Sequence, residues 1–94
     1  MEIVWTAFSE ISLLEIVEYV DKDFGTLVAE NYYFKVLETV EKIGITPTLF
    51  PIYQQSTDTR KAVINKKTIL YYKIVEEKIM LLAFYDVRKD NHKL

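Results

Sequence analysis

The stretch that most constrains this chain is 59–88, TRKAVINKKTILYYKIVEEKIMLLAFYDVR. It contains three runs, 60–64, 68–75 and 78–87, rich in β-branched and aromatic residues. Such residues suit a pleated, packed surface. Only Asn65-Lys66-Lys67 and Glu76-Glu77 separate the runs. Connections that short join antiparallel neighbours, because a parallel pair needs a long crossover. The spacing therefore predicts a three-strand meander. Its last run holds IMLLAF, apolar at every position, and is expected to be the central, most buried strand. It is far too short to span a membrane. The turn at 76–77 has neither Gly nor Asn, so its type does not follow from the sequence.

Upstream, 2–6 (EIVWT) is a short strand candidate, and Thr6 is placed to cap a helix over 7–23. There Leu13, Ile16, Val17, Val20 and Phe24 keep one helix face, while Ile11 and Leu14 lie off it and suggest partial cover on a second side. Gly25 breaks the pattern. A second helix is expected over 26–43, with Ala29, Tyr33, Val36, Leu37, Val40 and Ile43 as its stripe and Gly44 as its C-terminal cap. A link this short makes the two helices an antiparallel hairpin. Residues 45–58 contain both prolines and the polar run QQST and read as a connecting loop, with Leu49, Phe50 and Ile52 tucked beneath it. The order β-α-α-β-β-β implies an α+β domain, 1–94, with the helical hairpin on one face of a mainly antiparallel four-stranded sheet. Leu37, Val40, Leu70, Leu81 and Ala83 are its expected buried positions.

Ninety-four residues allow one compact domain, and half are hydrophobic, enough for a core. There is no Cys and one His. Disulfides and thiolate metal sites are excluded, and no metal or other cofactor is expected. The first residues, MEIVWT, carry an acid and no basic segment, so no secretory signal is expected and the cytoplasm is the expected location. The net charge of −2 is unevenly placed. Residues 1–58 hold three bases and ten acids, a balance of −7; residues 59–94 hold nine bases and four acids, a balance of +5. Acidic helices thus back a basic sheet region, which either balances charge within the molecule or meets an acidic partner.

Several of these features together resemble the RelE/ParE superfamily, the toxins of type II toxin–antitoxin systems. Leu13, Ile16, Val17, Tyr19 and Val20 are similar to the family's L-x-x-I-I-x-Y-I first helix. Arg60-Lys61 leads a strand, VINKKTILYYKI follows, and LLAFYDVRKDNHKL resembles the closing strand and its D-x-R-x-D/N tail, here Asp86, Arg88 and Asp90. The resemblance covers essentially the whole chain. It implies a growth-inhibiting toxin held by a cognate antitoxin, with a homodimer or a heterotetramer with the antitoxin among the expected assemblies, and no membrane role. RelE-like members cut messenger RNA in the ribosomal A site; characterised ParE-like members poison DNA gyrase.

RNA cleavage needs a proton acceptor and cations that hold the developing charge. The resemblance implies three such positions, falling on Ile69, Arg88 and Leu94, of which Arg88 alone fits. His92, near the third, is the other catalytic candidate. An Arg cannot move a proton at any relevant pH. The chain is therefore assigned to the ParE-like branch, acting by protein binding, with enzyme activity left open; a ribosome-dependent ribonuclease and a non-toxic antitoxin-binding module are the alternatives. Arg60, Lys61, Lys66, Lys67, Arg88 and Lys89 are expected to form a basic rim for a target or nucleic acid, with pairing to Asp86 or Asp90 as the structural alternative for Arg88. Tyr71, Tyr72, Phe84 and Tyr85 suit either a base-stacking platform or sheet packing; Tyr71 and Tyr72 must face opposite sides. Tyr19, Tyr32, Tyr33, Phe50 and Tyr53 add more aromatic surface than so small a domain needs, and are expected to help dock an antitoxin.

Overall fold

The computed structural model describes residues 1–90, Asp90 by its backbone. Strand β1 (Glu2–Trp5) leads into α1 (Ala7–Phe24) and α2 (Thr26–Ile45). Strands β2 (Ile52–Gln54), β3 (Thr59–Ile64), β4 (Thr68–Val75) and β5 (Lys78–Asp86) follow, then a single helical turn, α3 (Val87–Asp90). The sheet order is β1-β5-β4-β3-β2, with β1 parallel to β5 and every other pair antiparallel. The architecture is α+β in the expected order, and β2 adds a fifth strand. The 45–58 segment is thus more than a loop. Lys61 N donates to Pro51 O at 3.2 Å, and Arg60 Nη1 donates to Phe50 O at 2.7 Å, drawing it onto the edge of β3. β4 is the geometric centre, while β5 has the largest share of buried residues.

Residues opposite one another on paired strands share a face. One face carries Ala62, Ile64, Leu70, Tyr72, Ile79, Leu81 and Phe84 beneath the helices. Leu13, Ile16 and Val20 of α1 and Ala29, Val36, Val40 and Ile43 of α2 complete this core. Of the expected buried positions, Val40, Leu70, Leu81 and Ala83 are buried, but Leu37 is half-buried. Tyr33 and Phe24 of the expected stripes are exposed. The sheet thus covers the stripes only in part.

Hydroxyl groups lock α1 onto β5. Thr6 caps α1, accepting from Ser9 N at 3.1 Å, and donates to Leu81 O at 2.7 Å. The register shift between Tyr71 and Tyr72 leaves Leu82 without a partner on β4, a bulge in β5. Beside it, Phe84 N donates to Ser12 Oγ at 3.0 Å. These polar groups sit in the interface without an unmade bond, which is what makes their burial tolerable.

Gly25 ends α1 with φ +95°, a conformation that a side chain would strain. Gly44 does not cap α2; the helix continues to Ile45 and Thr46 caps it. A Cβ at Gly44 would make only an ordinary contact with Ile3 Cδ1 at 3.4 Å, so neither backbone nor packing demands glycine there. Both tight hairpin turns run through left-handed backbone at consecutive residues, Asn65 and Lys66, then Glu76 and Glu77. Two positive φ values in succession match the type I′ turn that suits twisted hairpins, even without glycine. Among the described residues, no helix is long and apolar enough to cross a membrane.

Candidate functional site

The six cations expected to form one rim are divided among separate places. Arg60 lies on the helix-covered face and holds the 45–58 segment through Phe50 O. Lys61 lies on the open face, its Nζ 5.1 Å from the centre of the Tyr53 ring. Lys66 and Lys67 occupy the β3–β4 turn. Lys89 reaches back to Glu15 at 3.2 Å. Arg88 turns onto Asp86.

The Asp86–Arg88 pair closes one end of the sheet. Asp86 is buried on the helix side, opposite Thr68. Arg88 Nε donates to Oδ1 at 3.1 Å and Nη2 to Oδ2 at 2.8 Å, a bidentate pair. The backbone N–H groups of Arg88 and Lys89 also donate to Oδ1, so Asp86 starts α3. Burial pushes the Asp86 carboxyl up, but these bonds and the guanidinium charge outweigh it and hold the group below its usual range. The bond to Asp86 in turn raises Arg88, which stays charged. Phe24 covers the guanidinium, its ring centre 5.2 Å from Cζ. Next to the pair, the Tyr32 hydroxyl shares a 2.7 Å hydrogen bond with Thr68 Oγ1. Burial, with the Asp86 charge adding to it, pushes Tyr32 up to about 12. Tyr32 therefore keeps its proton at physiological pH and is no general base.

The aromatic residues also divide. Tyr72 and Phe84 belong to the core; Tyr72 donates its hydroxyl proton to Pro47 O at 2.8 Å, and Phe84 stacks on Trp5 at 5.7 Å. Tyr71 and Tyr85 stand on the open face with Tyr53 of β2, ring centres 5.3 Å and 5.8 Å apart in sequence. Tyr53 was not among the sheet residues read from the sequence, because β2 was not foreseen.

A second surface lies along the junction of α1 and α2. A groove of about 540 Å³ starts at Trp5 and runs past Leu14, Val17 and Tyr33. It continues into a recess of about 350 Å³ that shares Val17 and Tyr33 and adds Phe34. Ile11, Leu14 and Phe34 are 54%, 58% and 63% exposed. Glu10, Glu18, Asp21 and Glu30 line the same groove. Sequence reasoning registered Ile11 and Leu14 as off-stripe but missed Phe34. The signal was there: each helix carries apolar residues on more than one side, which calls for more cover than one sheet supplies. His92 and the Leu94 position lie outside the described residues.

No family model matches the chain, and no curated protein matches it. Among solved structures, it is similar to a chain of the "Chromosomal ParDE TA system from P. aeruginosa" with a TM-score of 0.80. The match covers 93% of this chain and 96% of that one at 15% identity. The fold is RelE/ParE-like. At this identity the likeness speaks for architecture alone.

Proposed function

We propose that this chain is the toxin of a type II toxin–antitoxin pair, of the ParE-like branch, held inactive in the cytoplasm by a cognate antitoxin and acting by binding a protein. DNA gyrase is the target that the resemblance implies. The observation that carries this reading is the groove on the helical hairpin. A small domain that leaves Leu14 and Phe34 more than half exposed along one continuous groove, with Ile11 exposed on the same helix as Leu14, presents a surface made to be covered. The acids beside it favour an amphipathic segment with basic flanks as the antitoxin's contact. They also disfavour a second copy on this surface, which would bring like charges together. The fold likeness to a ParDE chain supports the same reading.

Ribosome-dependent RNA cleavage is the second reading, favoured by the Tyr53–Tyr71–Tyr85 series with Lys61 beside it. Against it, Ile69 stands where the resemblance implies an Arg, Arg88 is engaged by Asp86, and Tyr32 holds its proton. Losing positioned catalytic groups costs factors of about 10² to 10⁴ in rate.

The test is to look for a small reading frame directly beside this one, and to induce the chain with and without it. Slowed growth that the second frame relieves is expected, with no codon-phased cuts in primer extension of translated messages and with an induced DNA-damage response. Codon-phased cuts would replace this reading with the ribonuclease. Equal growth in both cultures would leave an antitoxin-binding module without toxicity.

A further inference from the structure

A recess of about 300 Å³ opens at the corner where the β3–β4 turn, α2 and α3 meet. Three cations line it, each from a different element: Lys35 of α2, Lys67 of the turn and Arg88 of α3. Asn31, Asn65 and Tyr32 add polar groups, and the described lining contains no carboxylate. The turn is tied to the end of the sheet, since Val87 N donates to Lys67 O at 2.9 Å. The cations are thus brought together by the fold rather than by sequence proximity, and like charges gathered without an acid among them favour an anion.

The existing ion pairs leave that charge largely unspent. Asp86 engages Nε and Nη2 of Arg88, part of a five-donor guanidinium. Lys35 lies 3.6 Å from Glu38, but the pair is exposed and weak, and Lys42 lies 3.5 Å from the same carboxylate oxygen. Glu38 therefore keeps a partner when Lys35 turns to the recess. With Arg88 balanced by Asp86, two positive charges remain. A phosphomonoester carries close to two negative charges at neutral pH, whereas a phosphodiester carries one. Val28, 46% exposed, supplies an apolar wall for the rest of a small ligand.

We propose that this corner recess binds the terminal phosphate of a small phosphomonoester. The site is separate from the helical groove and from the open-face tyrosines, and it does not rest on the toxin reading. Amide chemical shifts of the full chain are followed during titration with inorganic phosphate, with AMP, and with a short single-stranded RNA bearing hydroxyl groups at both ends, all at one ionic strength set by NaCl. Phosphate and AMP are expected to shift the amides of Asn31, Asn65, Lys67 and Arg88 in a saturable way, AMP the more tightly, while the RNA leaves them unmoved. Lys35→Gln and Lys67→Gln are each expected to weaken AMP about tenfold, the effect of one lost charge-assisted hydrogen bond. Lys78→Gln, exposed at the opposite end of the sheet from the recess, is expected to bind as the parent does. Unchanged amide shifts elsewhere establish that the exposed-lysine variants fold. Shifts no larger with phosphate than with chloride, equal AMP affinity in all three variants, or binding of the RNA alone would each overturn the proposal, the last by making the corner a contact for internal phosphodiesters.

Discussion

The helical groove and the open face of the sheet both expose large side chains, but in chemically different ways. In the groove the most exposed groups are Leu14 and Phe34, which have no polar end to leave in water. On the sheet they are Tyr53, Val63 and Tyr85, with Tyr71 between the two tyrosines, and the three aromatic rings pack on one another in series. Lys61 adds a cation over the first ring. Exposed tyrosines that pack in series are close to satisfied without a partner. Exposed aliphatic and phenyl groups in a concave setting are not. Raw exposure would rank the two surfaces alike; the position of polar atoms separates them.

Both surfaces depend on β5, whose residues face the helices on one side and support Tyr71 and Tyr85 on the other. Leu81→Ala should have the largest effect on stability. Leu81 is fully buried and its carbonyl anchors Thr6, so truncation should cost about 2–5 kcal/mol in denaturant melts. A cost below about 1 kcal/mol would mean that the surrounding side chains collapse onto the site and that β5 is not the common support.

The contrast between the surfaces can be broken directly. Leu14→Glu and Tyr33→Ser should each weaken capture of the co-expressed antitoxin by about 2 kcal/mol or more, roughly thirtyfold, as central contacts do. Stability should stay within about 0.5 kcal/mol, because Leu14 and Tyr33 are exposed in the free chain. Tyr71→Ser and Tyr85→Ser should leave capture unchanged in the same pull-down and titration. The opposite pattern would move the docking site to the sheet.

A smaller effect is expected at Asp86, which lies between the two surfaces. Its folded carboxyl titrates below the unfolded value of about 3.9. Its contribution to stability is therefore fully present above about pH 4 and is lost as pH falls through the folded value. Asp86→Asn should cost about 1–3 kcal/mol at neutral pH, less than a fully enclosed pair, because Arg88 keeps a quarter of its side-chain surface in water. The parent should lose stability more steeply than the variant below about pH 4. Parallel curves from pH 7 to pH 2 would show that Arg88 does not hold the carboxylate.

The architecture was legible because it rests on period and spacing. The meander followed from the 59–88 stretch, and the hairpin followed from Gly25 between two apolar stripes. β2 was not legible, because Ile52–Gln54 is too short for a period and is held by Arg60 and Lys61 from a distant run. Gly44 looked like a cap because glycine favours that position, but the helix runs one residue further and ends at Thr46. The basic rim dissolved for a geometric reason. Neighbouring residues on a strand face opposite sides, so Arg60 and Lys61 could not share a surface. Lys35, which joins Lys67 and Arg88 at the corner, lies thirty-two residues before Lys67 and has no local signature.

The smallest expected effect is at the β4–β5 turn, and it tests whether either surface extends there. Glu76 and Glu77 have φ values of 49° and 64°, a region that costs a residue with a Cβ about 1–2 kcal/mol. Two adjacent carboxylates add some repulsion. Asn-Gly meets the same turn with less strain. Glycine also gains more freedom in the unfolded chain, which offsets part of the benefit. The double change Glu76→Asn with Glu77→Gly should therefore stabilise the chain by about 0.5–1 kcal/mol. Glu76 and Glu77 do not line the helical groove, so antitoxin capture should not change. A gain in melts with unchanged capture would mark the strain as purely local. A loss of capture would show that the glutamates extend the acidic side of the helical groove toward the partner, and the surface drawn between Trp5 and Thr26 would have to be enlarged to include the end of the sheet.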